Sequence, residues 1–414
     1  MSSIIIPKNL DIGEKIALMS EDAKFEVGTD GDAESTAILC ASDIKAKPAL
    51  PKIPKIYVAS KCIFNCAYCG CRCSREERGN YYNTPVDVAK MAVDMAIRNG
   101  HGVFVSSAIY KNPNYTQELI AESVKIMREQ LYYKGFIHAK VMPSADPLLI
   151  AKTGQYANRL SVNIEVAQSL GYNRIAKQKS KEIILTPMRS ISDQILTAKY
   201  EGNIFATTQT TQLMAGSTNE DDRTIMRLSN ALYDKYHLKR VYYTAFQYRY
   251  EAKGYENENL KLTQTPYWRM ARLYQADRLL QLYGFTPDDV TPDESPFLQE
   301  DIDPKAAWAL RHMAMYPVEI NKADFKTLIR VPGIGITYAK RILEVRRYCI
   351  VTHDVLKKMR VPLKRSIYFI TCNGKYQGGN MLFSPFIRST LTTGSNQISI
   401  FNSLTVDEQL SCGE

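Results

Sequence analysis

Cys62, Cys66 and Cys69 stand in the run Lys61-Cys-Ile-Phe-Asn-Cys-Ala-Tyr-Cys-Gly70, a C-x3-C-x2-C spacing that gathers three thiolates on one short loop, with Tyr68 directly before the last. Three soft ligands leave a metal centre one ligand short. A cubane iron–sulfur cluster normally takes a thiolate on each iron, so a loop that supplies three leaves one iron open to a substrate or cofactor, as a catalytic zinc keeps an open position. Cys71 and Cys73 follow at once, and five cysteines so close together also admit a closed tetrahedral zinc site. Such sites favour two C-x2-C pairs separated by a longer loop. The two extra cysteines read as spare thiols, ligands of a second cluster, or redox-active groups.

The loop must be held by something, and the surrounding pattern says what. Six apolar runs of strand length, 55–60, 102–107, 136–142, 159–166, 203–214 and 240–247, alternate with helix-period segments at 85–98, 116–133, 146–156, 183–200, 221–236 and 267–283. That alternation predicts an α/β fold of six βα units around a parallel sheet, two fewer than close a full barrel. The first helix is clearly punctuated: Thr84 caps it, Pro85 suits its first position, Asp87 favours the positive first turn, and Gly100 stops it. Between those signals Val88, Met91, Ala92, Met95 and Ala96 fall at helical spacing and face the sheet.

In parallel βα architectures functional groups gather at the carboxyl ends of strands, which is where the cysteine loop lies. Ser106 and Ser107 end the second strand, where serine serves either a ligand or local hydrogen bonding. On the fourth, strict alternation places Ser161, Asn163 and Glu165 on one face, opposite Val162 and Ile164. After the fifth, Gly216 permits a close backbone approach, and Glu220, Asp221 and Asp222 suit the positive end of the next helix. Ala245 and Phe246 end the sixth.

The net charge of +10 is unevenly distributed: residues 321–365 carry twelve Lys or Arg against three acids, leaving the rest of the chain almost neutral. Charge confined to one segment is the footprint of a phosphate-backbone binder. Within it, 321–330 reads as a short helix, Val331-Pro-Gly-Ile-Gly335 as a tight hairpin, and 336–347 as a second helix with Ile342 and Val345 inward. Gly333 and Gly335, on either side of Ile334, leave the backbone open to a phosphate with no side chain in the way, and Lys340, Arg341, Arg346 and Arg347, with Arg330 ahead of the hairpin, add point charges. Between Gly284 and Pro304 prolines and acids interrupt the helical pattern, as in a linker. The expected organisation is therefore an N-terminal extension (1–50), the partial barrel (51–285), a linker (286–304), a basic all-α module (305–374) and a tail (375–414).

The cysteine spacing with its aromatic neighbour resembles the signature of the radical S-adenosylmethionine superfamily. The resemblance implies a [4Fe-4S] cluster on Cys62, Cys66 and Cys69, S-adenosylmethionine on the free iron, an external electron donor, and a 5'-deoxyadenosyl radical as product of cofactor cleavage. Carried over position by position, it implies cofactor contacts by Tyr68, Ser106, Ser107, Asn163, Glu165, Gly216, Glu220 and Ala245. The distal stretch resembles the helix-hairpin-helix family, in which hairpin amides grip a DNA phosphate. The order of the two, with Asp303-Pro-Lys-Ala-Ala-Trp-Ala-Leu and Tyr316-Pro317 between them, resembles a subfamily of DNA modification or repair enzymes associated with a uracil-DNA-glycosylase-like partner.

Two other readings stay open: the same chemistry on RNA, such as tRNA modification, or a non-catalytic DNA-binding protein with a structural or redox-sensing cluster. The hairpin suits duplex DNA phosphates better than single-stranded RNA. Tyr242, Tyr243, Tyr248, Tyr250, Tyr267 and Trp268 offer base-stacking or core aromatics. With 45% hydrophobic and 23% charged residues the composition is that of a globular protein, and no apolar run matches a signal-peptide core or a membrane span. Nine cysteines, an odd number with five of them clustered, fit a reducing compartment, and the cytoplasm is the expected location.

Overall fold

The computed structural model describes residues 53–74, 81–100, 102–246, 253–258, 260, 265–379 and 384–393. The expected extension 1–50, Tyr248, Tyr250 and the tail after Thr393 lie outside the described residues. The chain divides into two compact units, one through Glu220 together with Leu228–Thr265, the other formed by Asp221–Arg227 and the residues from Pro266 onward.

The first unit is built on six parallel strands in sequential order: β1 (Lys55–Tyr57), β2 (Val103–Ser106), β3 (Ile137–Lys140), β4 (Arg159–Ser161), β5 (Thr208–Ala215) and β6 (Arg240–Ala245). Between them run α1 (Pro85–Asn99), α2 (Pro113–Glu129), α3 (Pro147–Tyr156), α4 (Leu170–Ile175), α5 (Lys181–Glu201) and α6 (Asp222–Tyr236), whose first turn belongs to the second unit. The α1 punctuation is as the sequence implies: the Thr84 hydroxyl accepts from the Asp87 N–H at 3.2 Å, and Gly100 turns left-handed at φ 67°. Val88, Ala89, Met91 and Ala92 are at most 1% exposed, and each fully buried Val or Met contributes about 1.5–3 kcal/mol.

Phe104 of β2, His138 and Lys140 of β3, Ser161 of β4, Asn163 just beyond it, Thr210 and Gln212 of β5 and Tyr242 of β6 line one cavity. Side chains of five successive strands converge only if the sheet curls, so the six strands form an open, partial barrel. Its outward residues, among them Ile56, Val105, Ile137 and Leu160, are fully buried.

The fourth strand departs from expectation. Regular pairing stops at Ser161, five residues short of the expected end of the strand. The Thr211 hydroxyl accepts from the Ile164 N–H at 2.9 Å and donates to the Val162 carbonyl at 2.7 Å, taking the place of a main-chain ladder partner. Glu165, at φ 65°, then pairs with Leu213 through an isolated bridge.

In the second unit stand α7 (Tyr267–Tyr283), α8 (Pro287–Val290), α9 (Pro304–Arg311), β7 (Val318–Glu319), α10 (Phe325–Arg330), α11 (Ile336–Val345), α12 (His353–Lys358), α13 (Leu363–Ser366), β8 (Ile370–Cys372), β9 (Lys375–Tyr376) and α14 (Ser384–Thr393). Helix 267–283, read from sequence as part of the barrel, belongs to this unit. The stretch read as a linker is packed: Val290, Leu298 and Ile302 are buried, and Arg272 donates to the carbonyls of Gln299 and Glu300 at 3.0 and 2.6 Å.

The module is not all-α. Strands β7, β8 and β9 form a small mixed sheet, too short to leave a period-two signal in the sequence. Tyr316-Pro317 accordingly leads into β7. The first hairpin helix is also shorter than expected, because Asp324 caps it at the Thr327 N–H (2.7 Å) and Asn321 instead exchanges hydrogen bonds with Val351 at 2.8 and 3.0 Å.

Glu319 ties this sheet together by accepting from the amides of Asn321, Asn373 and Gly374 and from the Thr371 hydroxyl, at 2.8 to 3.0 Å. Burial alone would raise its carboxyl, but these donors, the Gly374 amide foremost, hold it down at about 2. A depressed carboxylate contributes stability above its unfolded pKa that is lost as pH falls through the folded value. Glu319→Gln should therefore lower the urea midpoint at neutral pH, and the deficit should shrink as pH falls from about 4.5 towards 2. A deficit independent of pH would reject the carboxylate's role. Among the described residues no helix is long and apolar enough to cross a membrane.

Candidate active site

The three cysteines follow β1 on a loop that is hydrogen-bonded to itself. The Cys62 N–H donates to the Cys71 carbonyl at 3.0 Å, the Cys73 N–H to the Phe64 carbonyl at 3.0 Å, and the Cys69 N–H to the Cys66 carbonyl at 3.0 Å. Backbone amides also point at two sulfurs: Phe64 N–H reaches Cys62 Sγ at 3.3 Å and Cys71 N–H reaches Cys69 Sγ at 3.4 Å. Such donors stabilise thiolate and tune a cluster's potential. Cys71 and Cys73 thus shape the loop through their main chains.

The loop is gripped from outside as well. The Ala67 N–H donates to the Ile175 carbonyl at 2.8 Å, and Asn65 Nδ2 to the Lys253 carbonyl at 2.7 Å. Cys62 and Cys66 are 8% and 5% exposed. Burial pushes their thiols up, Cys62 to about 11 and Cys66 to about 12, whereas a side-chain hydrogen bond from Cys71 draws Cys69 down to about 7. Burial disfavours a bare thiolate at Cys62 and Cys66, so a metal bound there would displace their protons.

Facing the loop stands a residue that no sequence pattern singled out. Lys179 lies between α4 and α5, and its Nζ donates to Glu165 Oε1 at 2.8 Å and to the Tyr68 hydroxyl at 3.0 Å. Both members of the ion pair are buried, with side chains 10% and 5% exposed. Burial works against the Lys179 charge, but the Glu165 carboxylate and the nearby cysteines outweigh it and hold the ammonium well above its ordinary pKa. Burial, followed by the same carboxylate, keeps Tyr68 a neutral phenol. Glu165 Oε2 is buried with no hydrogen-bond partner among the described residues.

The other predicted contacts are placed less openly. Ser106 is buried at the end of β2, and the Ser107 hydroxyl accepts from the Ala59 N–H at 3.2 Å and donates to the Ala108 carbonyl at 2.7 Å, which is local stitching. Asn163 lines the lumen. Gly216, at φ 80°, is needed for its conformation and because a side chain there would strike Thr265, so the close approach it permits is taken up within the unit. Its N–H donates to Glu220, which also accepts from the Thr218 N–H at 2.9 Å, closing the turn. Ala245 pairs with Ala215, while Phe246 is fully buried. Tyr242 and Tyr243 are core residues, the latter donating to Ser229 Oγ at 2.8 Å.

The lumen itself is basic, which the alternation of the strands concealed. Lys55, His138, Lys140 and Arg159 are all at most 8% exposed. The Phe104 ring stacks on His138 at 4.0 Å, with the Lys55 and Lys140 ammoniums 5.5 and 6.0 Å from its centre.

In the second unit the hairpin between α10 and α11 forms, with Gly333 at φ 82° and Gly335 before the first turn of α11, which lacks a side-chain cap. Gly333 is required by packing as well as by conformation, since a Cβ would meet the Pro362 carbonyl at 3.0 Å. Ile334 is buried and its carbonyl accepts from Lys305 at 2.6 Å. Arg330 is engaged within the unit, its guanidinium 4.4 and 4.7 Å from the Phe285 and Trp308 rings and donating to the Gly284 carbonyl at 3.1 Å. Arg346 donates to the Ala323 carbonyl at 2.6 Å. Lys340, Arg341 and Arg347 are exposed, so of the five predicted phosphate-facing cations these three present their charge to solvent.

No protein-family model matches the chain, and a search of the curated proteins finds no match. Among solved structures the chain is similar to methylornithine synthase (PylB), at 16% identity over 64% of this chain and 77% of that one, with a TM-score of 0.42. It is similar to HydG from Carboxydothermus hydrogenoformans, an FeFe-hydrogenase maturase, at 11% identity over 65% and 63% of the two chains, with a TM-score of 0.41. The cobalamin-dependent S-adenosylmethionine radical enzyme OxsB gives 12% identity over 87% and 57%, with a TM-score of 0.33.

Those residues fit a cluster with one non-protein ligand. Among the described residues no three His, Cys, Asp or Glu converge to hold a single metal ion. Three thiolates on three different irons of a cubane need not converge on one point. The orphaned Glu165 Oε2 offers a buried acceptor beside that loop, suited to an ammonium.

Proposed function

We propose that the chain is an iron–sulfur enzyme of the radical S-adenosylmethionine type that acts on a nucleotide in DNA. The observation that carries the reading is the juxtaposition, at the carboxyl end of a partial barrel, of a rigid three-cysteine loop with the buried Lys179–Glu165 pair. Cys62, Cys66 and Cys69 would hold a [4Fe-4S] cluster; Glu165, Lys179 and Tyr68 would border the S-adenosylmethionine on its open iron. When bound and reduced by an external donor, that pair supplies a 5'-deoxyadenosyl radical. The chain's own contribution is placement and exclusion of water: the Asn65–Lys253 and Ala67–Ile175 hydrogen bonds clamp the loop, and the helices seal the outer face of the sheet. Lys140, which ends β3 and lines the lumen, suits a substrate that carries negative charge, as a nucleotide does. The test is anaerobic reconstitution followed by reductant and S-adenosylmethionine: 5'-deoxyadenosine should form, and an intact cluster that yields none would reject the reading.

The DNA assignment is supported by the concentration of charge in 321–365 and by the hairpin that presents Lys340, Arg341 and Arg347 to solvent. Backbone contacts imply binding without strong sequence preference and with steep salt dependence. Lys340→Ala and Arg347→Ala should each flatten the log–log salt slope by about one, with equal loss across sequences. Unchanged slopes would remove the phosphate-binding role from the hairpin. Gly333 is unsuited to this test, because a side chain there would be strained at φ 82° and would press on the Pro362 carbonyl at 3.0 Å.

A further inference from the structure

Beside the cysteine loop, the first unit carries an aromatic and cationic surface to which none of the foregoing assigns a role. Tyr82, which precedes α1, packs against Tyr110 with centroids 5.3 Å apart and the rings tilted by 30°, and Tyr110 lies 6.2 Å from Tyr115 in the first turn of α2. The Lys111 ammonium stands 4.5 Å from the Tyr115 ring and 5.6 Å from that of Tyr110. Tyr82 is 43% exposed and Lys111 is exposed.

The patch is held rigidly. The fully buried Thr116 hydroxyl accepts from the Tyr110 N–H and donates to its carbonyl, both at 2.8 Å, while Asn112 caps α2 by accepting from the Tyr115 N–H at 2.8 Å. Lys111 is fixed between them at φ 60°, a left-handed conformation that costs a lysine energy and persists where surrounding contacts impose it. The same loop is joined to the cysteines: the Ile63 N–H, one residue from Cys62, donates to the Ile109 carbonyl at 2.9 Å.

We infer that Tyr82, Tyr110, Tyr115 and Lys111 form a stacking platform for single-stranded DNA beside the three-cysteine loop. Base faces stack on tyrosine whatever their sequence, and phosphates pair with exposed ammoniums, here Lys111 and Lys61. An aliphatic partner would have no use for a cation placed over the rings. Enzymes that alter a base act on single strands or extrude the nucleotide, and a platform here holds the base next to the one being altered. This inference rests on the nucleic-acid reading and deepens it.

The test uses the full-length chain and a 20-nucleotide single-stranded DNA containing 2-aminopurine, whose fluorescence is quenched by stacking, with duplex DNA as a parallel probe. The wild type should bind and quench. Tyr82→Leu combined with Tyr110→Leu should lose about tenfold or more in single-strand affinity and most of the quenching, with duplex binding unchanged. Tyr82→Phe should retain both, and Lys111→Asn, which tolerates the left-handed backbone, should weaken binding and keep the quenching. Wild-type quenching and affinity in the double-leucine variant would overturn the platform, as would duplex binding without single-strand binding by the wild type. Failure of the wild type to bind either DNA would overturn the platform and the nucleic-acid reading together.

Discussion

Alanine in place of Cys62, Cys66 or Cys69, one at a time, should abolish 5'-deoxyadenosine formation and strip iron from the reconstituted chain, while Cys71→Ala and Cys73→Ala should retain both. The physical reason is the division of labour inside the loop. A cubane that already leaves one iron to a small molecule loses its hold when a second iron is freed. Cys71 and Cys73 contribute through a carbonyl and an amide, which alanine supplies equally well. The Cys71 side chain does hydrogen-bond to Cys69, so Cys71→Ala should alter the cluster's spectrum or potential while leaving it bound. Loss of iron from the Cys73→Ala variant would show that the ligand set has been misread, and retention of activity by any of the first three variants would do the same.

The second large effect concerns the buried pair. Lys179→Met should destabilise the cluster-free chain by about 3–5 kcal/mol, because it leaves the Glu165 carboxylate buried without its cation. Glu165→Gln should cost a similar amount by stranding the ammonium. The double variant Lys179→Met/Glu165→Leu should recover much of the loss, since apolar replacement of a whole buried pair is often close to neutral. Urea denaturation of the four proteins closes the thermodynamic cycle, and an interaction energy of about 1 kcal/mol or more is expected for groups at 2.8 Å. Additive losses would mean that the two charges do not depend on one another. The double variant separates folding from chemistry, because it should fold and yet fail to cleave S-adenosylmethionine.

Much of this site was legible in the sequence, for reasons that differ by residue. The cysteine loop declared itself because ligand spacing is a local property. The strands and helices of the barrel did so because apolar period and caps such as Thr84 and Gly100 are local too. Lys179 was not legible: it is one lysine among many, and only the closure of the α4–α5 connection against Glu165 gives it a role. The basic lumen was hidden for a related reason, since alternation places Lys55, His138 and Arg159 on one face without saying whether that face meets solvent or a barrel interior. The fourth strand is shorter than its pattern implied, because a threonine hydroxyl from β5 and a left-handed Glu165 replace the regular ladder after Ser161. In the second unit the two- and three-residue strands were too short to register, and Arg330 looked like a phosphate ligand until the Phe285 and Trp308 rings claimed it.

Electron paramagnetic resonance of the reduced, reconstituted chain, recorded before and after addition of S-adenosylmethionine, reports on the open iron itself. The signal should be that of a [4Fe-4S] cluster whose g-values shift when the cofactor occupies the open iron, with the shift lost in the Lys179→Met/Glu165→Leu variant. A chain that takes up zinc in place of iron, or a cluster signal indifferent to S-adenosylmethionine, would contradict an open iron that binds the cofactor.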